Sequence, residues 1–278
     1  MIADTHIHLN DEKYDHIIEE VLERAANNNV LLMYIIGCDK NSSLKAIEIC
    51  DKYNGYKNIE MYPIVGLHPS DVNKEEDLEL KWLVDLIETK NILALGEIGI
   101  DLYWEQDNKD LQIQMFKKQL DIAQKYNLNV SIHSREAIQL TYDILKEYNN
   151  VKGVIHCYSG SVEMAREFIK LGYKLGIGGV LTYKNSKLYQ VIEEFDLSNF
   201  VTETDGPYLS PVPYRGKTNE PSYLVEVINK IAELKGLTCE ETEEVLLRNA
   251  FEVFNLEGWN EKNIFNYFIN FNVIYKCV

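Results

Sequence analysis

The sequence is short of positive charge. Lysine and arginine number 28 against 44 aspartates and glutamates, a net charge of −16. Such a chain lacks a broad basic face for gripping nucleic acid non-specifically, although an anionic substrate held through metal ions stays open. Cysteine is sparse too: Cys38, Cys50, Cys157, Cys239 and Cys277 are odd in number, scattered, and form no C-x-x-C pair. That argues against a disulfide framework and for a reducing cytosol. No apolar run is long enough to span a bilayer. No basic-then-apolar leader precedes the first strand, and cleaving one would remove His6 and His8. A cytoplasmic protein with no membrane attachment is the expectation. Neither G-x-G-x-x-G nor a P-loop follows the first apolar run, so the nucleotide-binding open sheets lack their fingerprint.

What is present is alternation. Apolar residues make up 46% of the 278 positions, enough for a sizeable core, and a (β/α) barrel needs ~250 residues. Eight β-rich runs occur: IADTHIH, LLMYIIGC, MYPIVGLH, ILALGEIGI, NVSIH, GVIHCY, YKLGIGG and NFVTETD. Charged amphipathic stretches such as DHIIEEVLERAANNN and LQIQMFKKQLDIAQKYN separate them. Near-continuous apolar runs suit a parallel sheet buried on both faces. The pattern predicts an α/β fold, a single (β/α)8 TIM-type barrel over residues 1–256, with TCEETEEVLLRNAFEVFNL as its closing helix. Residues 257–278 read as a C-terminal tail, packed on the barrel or loose. Asparagines interrupt its apolar residues, which makes membrane attachment a poor fit.

Chemistry collects at the ends of the runs. In a strand, residues i and i+2 share a face, so Asp4, His6 and His8 project together. His68, His133 and His156 close the third, fifth and sixth runs, Glu97 the fourth, and Glu203 and Asp205 the eighth. In a barrel these ends form one rim, where active sites are built. Several ionisable groups buried there are costly unless paired or coordinated, and divalent cations supply that compensation. The set exceeds one tetrahedral shell, so two ions sharing one carboxylate fit better than one. Nitrogen and oxygen donors suit Zn²⁺, Mn²⁺ or Mg²⁺. His16 falls in a helical segment and reads as solvated. Cys157 follows His156 directly, so alternation points it away from the site.

The motifs DTHIHL, GLHP, GEIGID, IHSREA, GVIHCYSG and ETDGPYLSPVPYRGKTNEP resemble those of the TatD-type metal-dependent deoxyribonucleases. These are amidohydrolase-like barrels, and the motifs run in that family's order from Asp4 to about Leu256. The resemblance implies that His6, His8, Glu97 and Asp205 hold one ion and that Glu97, His133 and His156 hold the other, with Glu97 as the bridge. It implies that His68 lies near the substrate phosphate and that Glu203 is a second acid near the metals. Asp4 would be an outer partner. Two small departures touch no ligand position: Leu102 precedes Tyr103 where the family often has two aromatics, and Gly206 stands where Ser or Ala is common.

The function expected is phosphodiester hydrolysis of DNA, as a 3′–5′ exonuclease on single strands or frayed ends, with Asp205 as base. Arg135, Arg215, Lys217 and Asn219 would contact or order the substrate side. Tyr103 and Tyr158 would stack on bases or pack the wall. The rival reading is a small-molecule amidohydrolase or esterase for a lactone, cyclic amide or phosphotriester. Many of these bridge their metals with a modified lysine, and no lysine stands near the end of the fourth run. An aminoacyl-tRNA esterase is a third enzymatic option. A scaffold that has lost catalysis conflicts with the complete ligand set.

Overall fold

Valine, leucine, isoleucine and methionine fill the runs that become strands, and the sheet buries them on both faces. VLLMYII and ALGEIGID are buried at every position. In the computed structural model, which describes residues 1–74, 77–104 and 106–256, these runs are eight parallel strands in sequential order. They are β1 (Ile2–Ile7), β2 (Val30–Ile36), β3 (Glu60–Val65), β4 (Ala94–Asp101), β5 (Asn129–Arg135), β6 (Gly153–Ile155), β7 (Lys174–Ile177) and β8 (Phe200–Thr202). The expected (β/α)8 barrel is the observed fold. The proposed tail, 257–278, lies outside the described residues.

Helices cover the outer face: α1 (Ile18–Asn27), α2 (Lys40–Tyr53), α3 (Lys81–Thr89), α4 (Lys109–Tyr126), α5 (Ile138–Leu145), α6 (Val162–Lys170), α7 (Leu188–Glu194), α8 (Leu224–Lys235) and α9 (Cys239–Val253). Local chemistry sets their ends. Asp39 and Ser42 form a capping box at the start of α2, and Thr238 and Glu241 form one at the start of α9. Gly236 ends α8 in the left-handed conformation. Helix α9 is the closing helix expected from the sequence. Its Asn249 amide donates to the carbonyls of Leu197 (2.9 Å) and Phe200 (2.7 Å), tying it to the approach to β8. Among the described residues, no helix is long and apolar enough to cross a membrane.

The seam between β1 and β8 is closed largely by side chains. Thr5 Oγ1 donates to the Thr202 carbonyl and Thr202 Oγ1 donates to the Ala3 carbonyl, each at 3.0 Å. The buried Asp4 carboxylate accepts from Thr204 N (2.9 Å) and Thr204 Oγ1 (2.6 Å). Just above, Asp205 N donates to the His6 carbonyl at 2.9 Å and His8 N to the Gly206 carbonyl at 2.8 Å. The bonds that shut the barrel therefore also set Asp205 beside His6 and His8.

Burial pushes the Asp4 carboxyl up to about 7, with the nearby Glu203 adding to the effect and the Thr204 and His6 bonds opposing it. The folded state thus binds this proton more tightly than the unfolded chain does. The resulting stabilisation is complete below the ordinary value of 3.8 and is lost as pH rises through about 7. Asp4→Asn removes that ionisation. Denaturant unfolding between roughly pH 5 and 8 should show wild type losing stability relative to the variant by ~1–3 kcal/mol. Parallel profiles for the two proteins would contradict a buried, ionising Asp4.

Candidate metal centre

Glu97, on β4 and buried, stands at the middle of the barrel mouth. Its Oε2 faces His6 Nε2 at 3.5 Å and His8 Nε2 at 3.6 Å. Its Oε1 faces His133 Nδ1 at 2.6 Å, His156 Nε2 at 3.6 Å and His68 Nε2 at 3.7 Å. Asp205 Oδ1 closes the other side, 3.6 Å from both His8 Nε2 and His156 Nε2 and 3.9 Å from His6 Nε2. Residues from five strand ends thus converge on one carboxylate.

The ring tautomers follow from what holds the far nitrogen of each imidazole. His8 Nδ1 lies 3.3 Å from the Ile36 carbonyl, which can only accept. His133 Nε2 lies 3.0 Å from Asp101 Oδ2, and His156 Nδ1 lies 3.0 Å from Glu203 Oε1. His6 Nδ1 has Ser131 Oγ at 3.1 Å. The outer nitrogens of His8 and His133 thus face oxygens that only accept and carry N–H, His156 Nδ1 lies beside the Glu203 carboxylate, and the Ser131 hydroxyl can donate to His6 or accept from it. His68 is built the other way. Its Nδ1 accepts from Ser70 N at 3.1 Å, so the neutral ring carries its proton on Nε2, toward Glu97. A ring so held is a hydrogen-bond donor to the centre and not a ligand.

Burial alone would raise the Glu97 carboxyl, but His68, His156, His133 and His6 hold it well below the carboxylate range. Asp205 is likewise kept low against burial, by His156, the His8 hydrogen bond and His6. Burial lowers His68 to about 3, so the ring is neutral near pH 7. Burial is outweighed for His133 by Glu97 and Asp101, which raise it to about 8, and for His156 by Glu203, Glu97 and Asp205, which raise it to about 9. The donor set fits divalent ions. His6, His8 and Glu97 form one group with ligand atoms within 4.8 Å of one another, and the buried Glu203 Oε2 lacks a protein partner among the described residues.

Glu203 is fully buried. Besides its contact with His156 it accepts a hydrogen bond from Cys157 N, and a side chain on Gly176 would collide with its carboxylate. It lies 3.0 Å from His156 Nδ1 and shares with His6 and His156 a group whose ligand atoms are within 4.8 Å of one another. Cys157 corrects an expectation. β6 ends at Ile155, and the backbone at Cys157 takes φ 45°, so strand alternation no longer applies. Its Sγ lies with His156 and Asp205 in a group within 4.8 Å. Tyr158 is a second correction: it is 2% exposed and its hydroxyl donates to the Ser161 carbonyl at 2.6 Å, so it packs the wall and presents no stacking face. Asn219 is buried, and its amide donates to the Thr204 (2.8 Å) and Tyr208 (2.7 Å) carbonyls, which orders the loop after β8. Arg135, Arg215 and Lys217 are exposed on the rim, with the Arg215 guanidinium 3.8 Å from the Tyr183 ring centre. Tyr103 is half exposed. His16 is exposed, in the turn before α1 rather than within a helix.

Sequence reasoning missed Asp101, Ser131 and Cys38. Asp101 was within reach, since Glu97 and Asp101 are four residues apart on one strand and a period of two puts them on one face. Ser131 carried no signal beyond its place two residues before His133. Cys38 Sγ sits 3.8 Å from His8 Nδ1, just beyond the end of β2.

Comparison with known proteins gives a consistent result. The family model described as TatD related DNase matches residues 3–255. The chain is 38% identical over 259 residues to the uncharacterized metal-dependent hydrolase YabD of Bacillus subtilis, covering 92% of this chain and all of that one. Among solved structures it is similar to YjjV, the TatD homologue of Escherichia coli, with a TM-score of 0.84, 30% identity, and 92% and 98% of the two chains covered. A TatD family hydrolase of Entamoeba histolytica gives a TM-score of 0.82 at 25% identity, covering 91% and 97%.

Protons held on His133 and His156 compete with any ion at those nitrogens. Metal uptake should therefore release protons and strengthen as pH rises through about 8 to 9, the values these rings reach. Calorimetry in buffers of different ionisation enthalpy counts the protons. Uptake independent of pH would mean that the ions do not replace those protons.

Proposed function

The chain belongs to the TatD-related DNase family of metal-dependent hydrolases, and from that premise we propose that it cleaves phosphodiester bonds of DNA. The substrate is a single strand or a frayed 3′ end, taken in the 3′–5′ direction, and the site holds two divalent ions, Mg²⁺, Mn²⁺ or Zn²⁺. One observation carries the two-ion reading: the two oxygens of Glu97 face different histidine pairs, Oε2 toward His6 and His8, Oε1 toward His133 and His156. A carboxylate divided in this way suits a bridge. His6, His8, Glu97 and Asp205 would hold one ion, and Glu97, His133 and His156 the other.

When bound, the ions supply positive charge that draws in a phosphoryl oxygen and makes water easier to deprotonate. The protein's own groups do the rest. Asp205 is ionised, keeps some access to the mouth, and takes the proton of the attacking water. His68, neutral and with its proton on Nε2, donates a hydrogen bond to the oxygen on which charge develops. Asp101 and Glu203 keep His133 and His156 turned inward. Arg135, Arg215 and Lys217 offer the exposed cations that an acidic surface otherwise lacks, and Asn219 orders their loop. The four described cysteines are free, which suits a cytoplasmic location.

The test is a time course on end-labelled single- and double-stranded DNA with each metal supplied separately. Release of mononucleotides from the 3′ end of single strands supports the proposal. Turnover of lactones or phosphotriesters with inert DNA would transfer the site to the small-molecule reading.

Two substitutions separate the roles. Asp205→Asn should lower kcat by ~10²–10⁴ at saturating metal while elemental analysis still finds an ion at His133 and His156. A near wild-type rate at high Mn²⁺ would leave Asp205 as a ligand only. His68→Ala should keep full metal content and lose ~10²–10³ in kcat. Loss of metal instead would mean that the His68 ring has turned and coordinates.

A further inference from the structure

Trp104 is 68% exposed, the most exposed of the large apolar side chains among the described residues, and Tyr103 beside it is 53% exposed. Leaving such rings in water forgoes the burial that usually stabilises them. The pair is nevertheless held firmly. Tyr103 N and Trp104 N both donate to Asp101 Oδ1, at 2.8 and 3.3 Å. The other oxygen of the same carboxylate holds His133. One side chain thus ties the aromatic turn to the metal centre. The rings meet edge to face at 4.8 Å. Arg135 lies 3.9 Å from the centre of the Tyr103 ring and covers it, and lies 5.4 Å from the centre of the Trp104 ring.

We propose that Trp104 is a stacking platform for an unpaired nucleobase of the substrate strand, with Arg135 meeting a phosphate next to that base. The inference rests on the nuclease reading and adds the chemical class of what lies beside the scissile phosphate. The occupant follows from charge and position. An apolar ring at a site for anions, with a guanidinium at its edge, matches a nucleotide, which carries a flat base and a phosphate together. A purely apolar partner would leave Arg135 without a counter-charge. Stacking needs the base's own face free, which a single strand offers and the interior of a duplex does not. It also reads no sequence, because every base has a π-face. Tyr103, capped by Arg135, supports the platform from below.

The experiment measures binding by fluorescence anisotropy on the metal-loaded full chain carrying Asp205→Asn to suppress turnover. The probes are labelled oligothymidylate and an abasic oligomer with the same number of phosphates. Adding Trp104→Ala should weaken oligothymidylate binding roughly 5- to 150-fold, while Trp104→Phe keeps most of the affinity. The abasic oligomer should bind weakly and equally with and without Trp104. Because Trp104 is exposed, the thermal midpoint should stay close to that of the parent, which separates the effect from misfolding. The chain also carries Trp82 and Trp259, so the second readout is quenching of emission by oligothymidylate that is absent with the abasic oligomer and is lost in Trp104→Phe. Equal oligothymidylate affinity with and without Trp104 would overturn the platform and leave the nuclease reading standing. Failure of the parent protein to bind either oligomer would overturn the nuclease reading and the platform with it.

Discussion

A buried carboxylate needs compensation, and most of the barrel mouth is arranged to supply it to Glu97. The residue is 3% exposed and carries its charge among five imidazoles contributed by β1, β5 and the segments that follow β1, β3 and β6. An isolated buried anion would cost several kcal/mol. Each ring that faces Glu97 is in turn held from behind: His6 by Ser131, His8 by the Ile36 carbonyl, His68 by Ser70 N, His133 by Asp101, and His156 by Glu203. These supports join strands that do not adjoin in the sheet, such as β1 and β5. The electrostatic need of one side chain therefore braces the rim and turns one nitrogen of each ring toward the centre.

Asp205 depends on a second set of attachments. It lies beyond the end of β8 with φ 56°, a conformation that a non-glycine residue keeps only when its surroundings hold it. Asp4 grips Thr204 from below, and Asn219 spans the carbonyls of Thr204 and Tyr208. Tyr14 reaches across to the Asn219 carbonyl at 2.5 Å. Farther out, Arg24 of α1 forks onto Glu220 with contacts of 2.8 to 3.1 Å. The loop after β8 is thereby pinned at both ends to β1 and α1, the elements that carry and follow His6 and His8.

Global and local charge point in opposite directions in this chain. With a net charge of −16, the surface repels a polyanion at distance, and screening over ~8–10 Å in physiological salt limits how far that repulsion reaches. At the mouth the balance reverses once cations occupy the ring nitrogens, and the exposed arginines and lysine of the rim add to it. On the proposed nuclease reading, a long duplex would keep most of its charge outside the mouth, whereas a flexible end that bends in would use the local field and avoid most of the acidic surface.

The strands, the barrel and the identities of most residues at its mouth were legible in the sequence because they follow local rules. Apolar runs separated by amphipathic stretches mean buried parallel strands, and a histidine or acid closing such a run lies on the rim whatever the other runs do. Local rules also account for the misreadings. Alternation was carried through Cys157, although β6 ends at Ile155, and it left open whether Tyr158 stacks on bases or packs the wall, into which its ring turns. Which nitrogen of each histidine faces inward was not legible at all. His6 and His68 look alike in sequence, each a histidine at the end of an apolar run. The His68 tautomer comes from the turn that aims Ser70 N at its Nδ1, whereas His6 meets the Ser131 hydroxyl, 125 residues away, which can donate or accept. A ring's proton sits where the nearest acceptor or donor puts it, and only the folded chain decides which group is nearest.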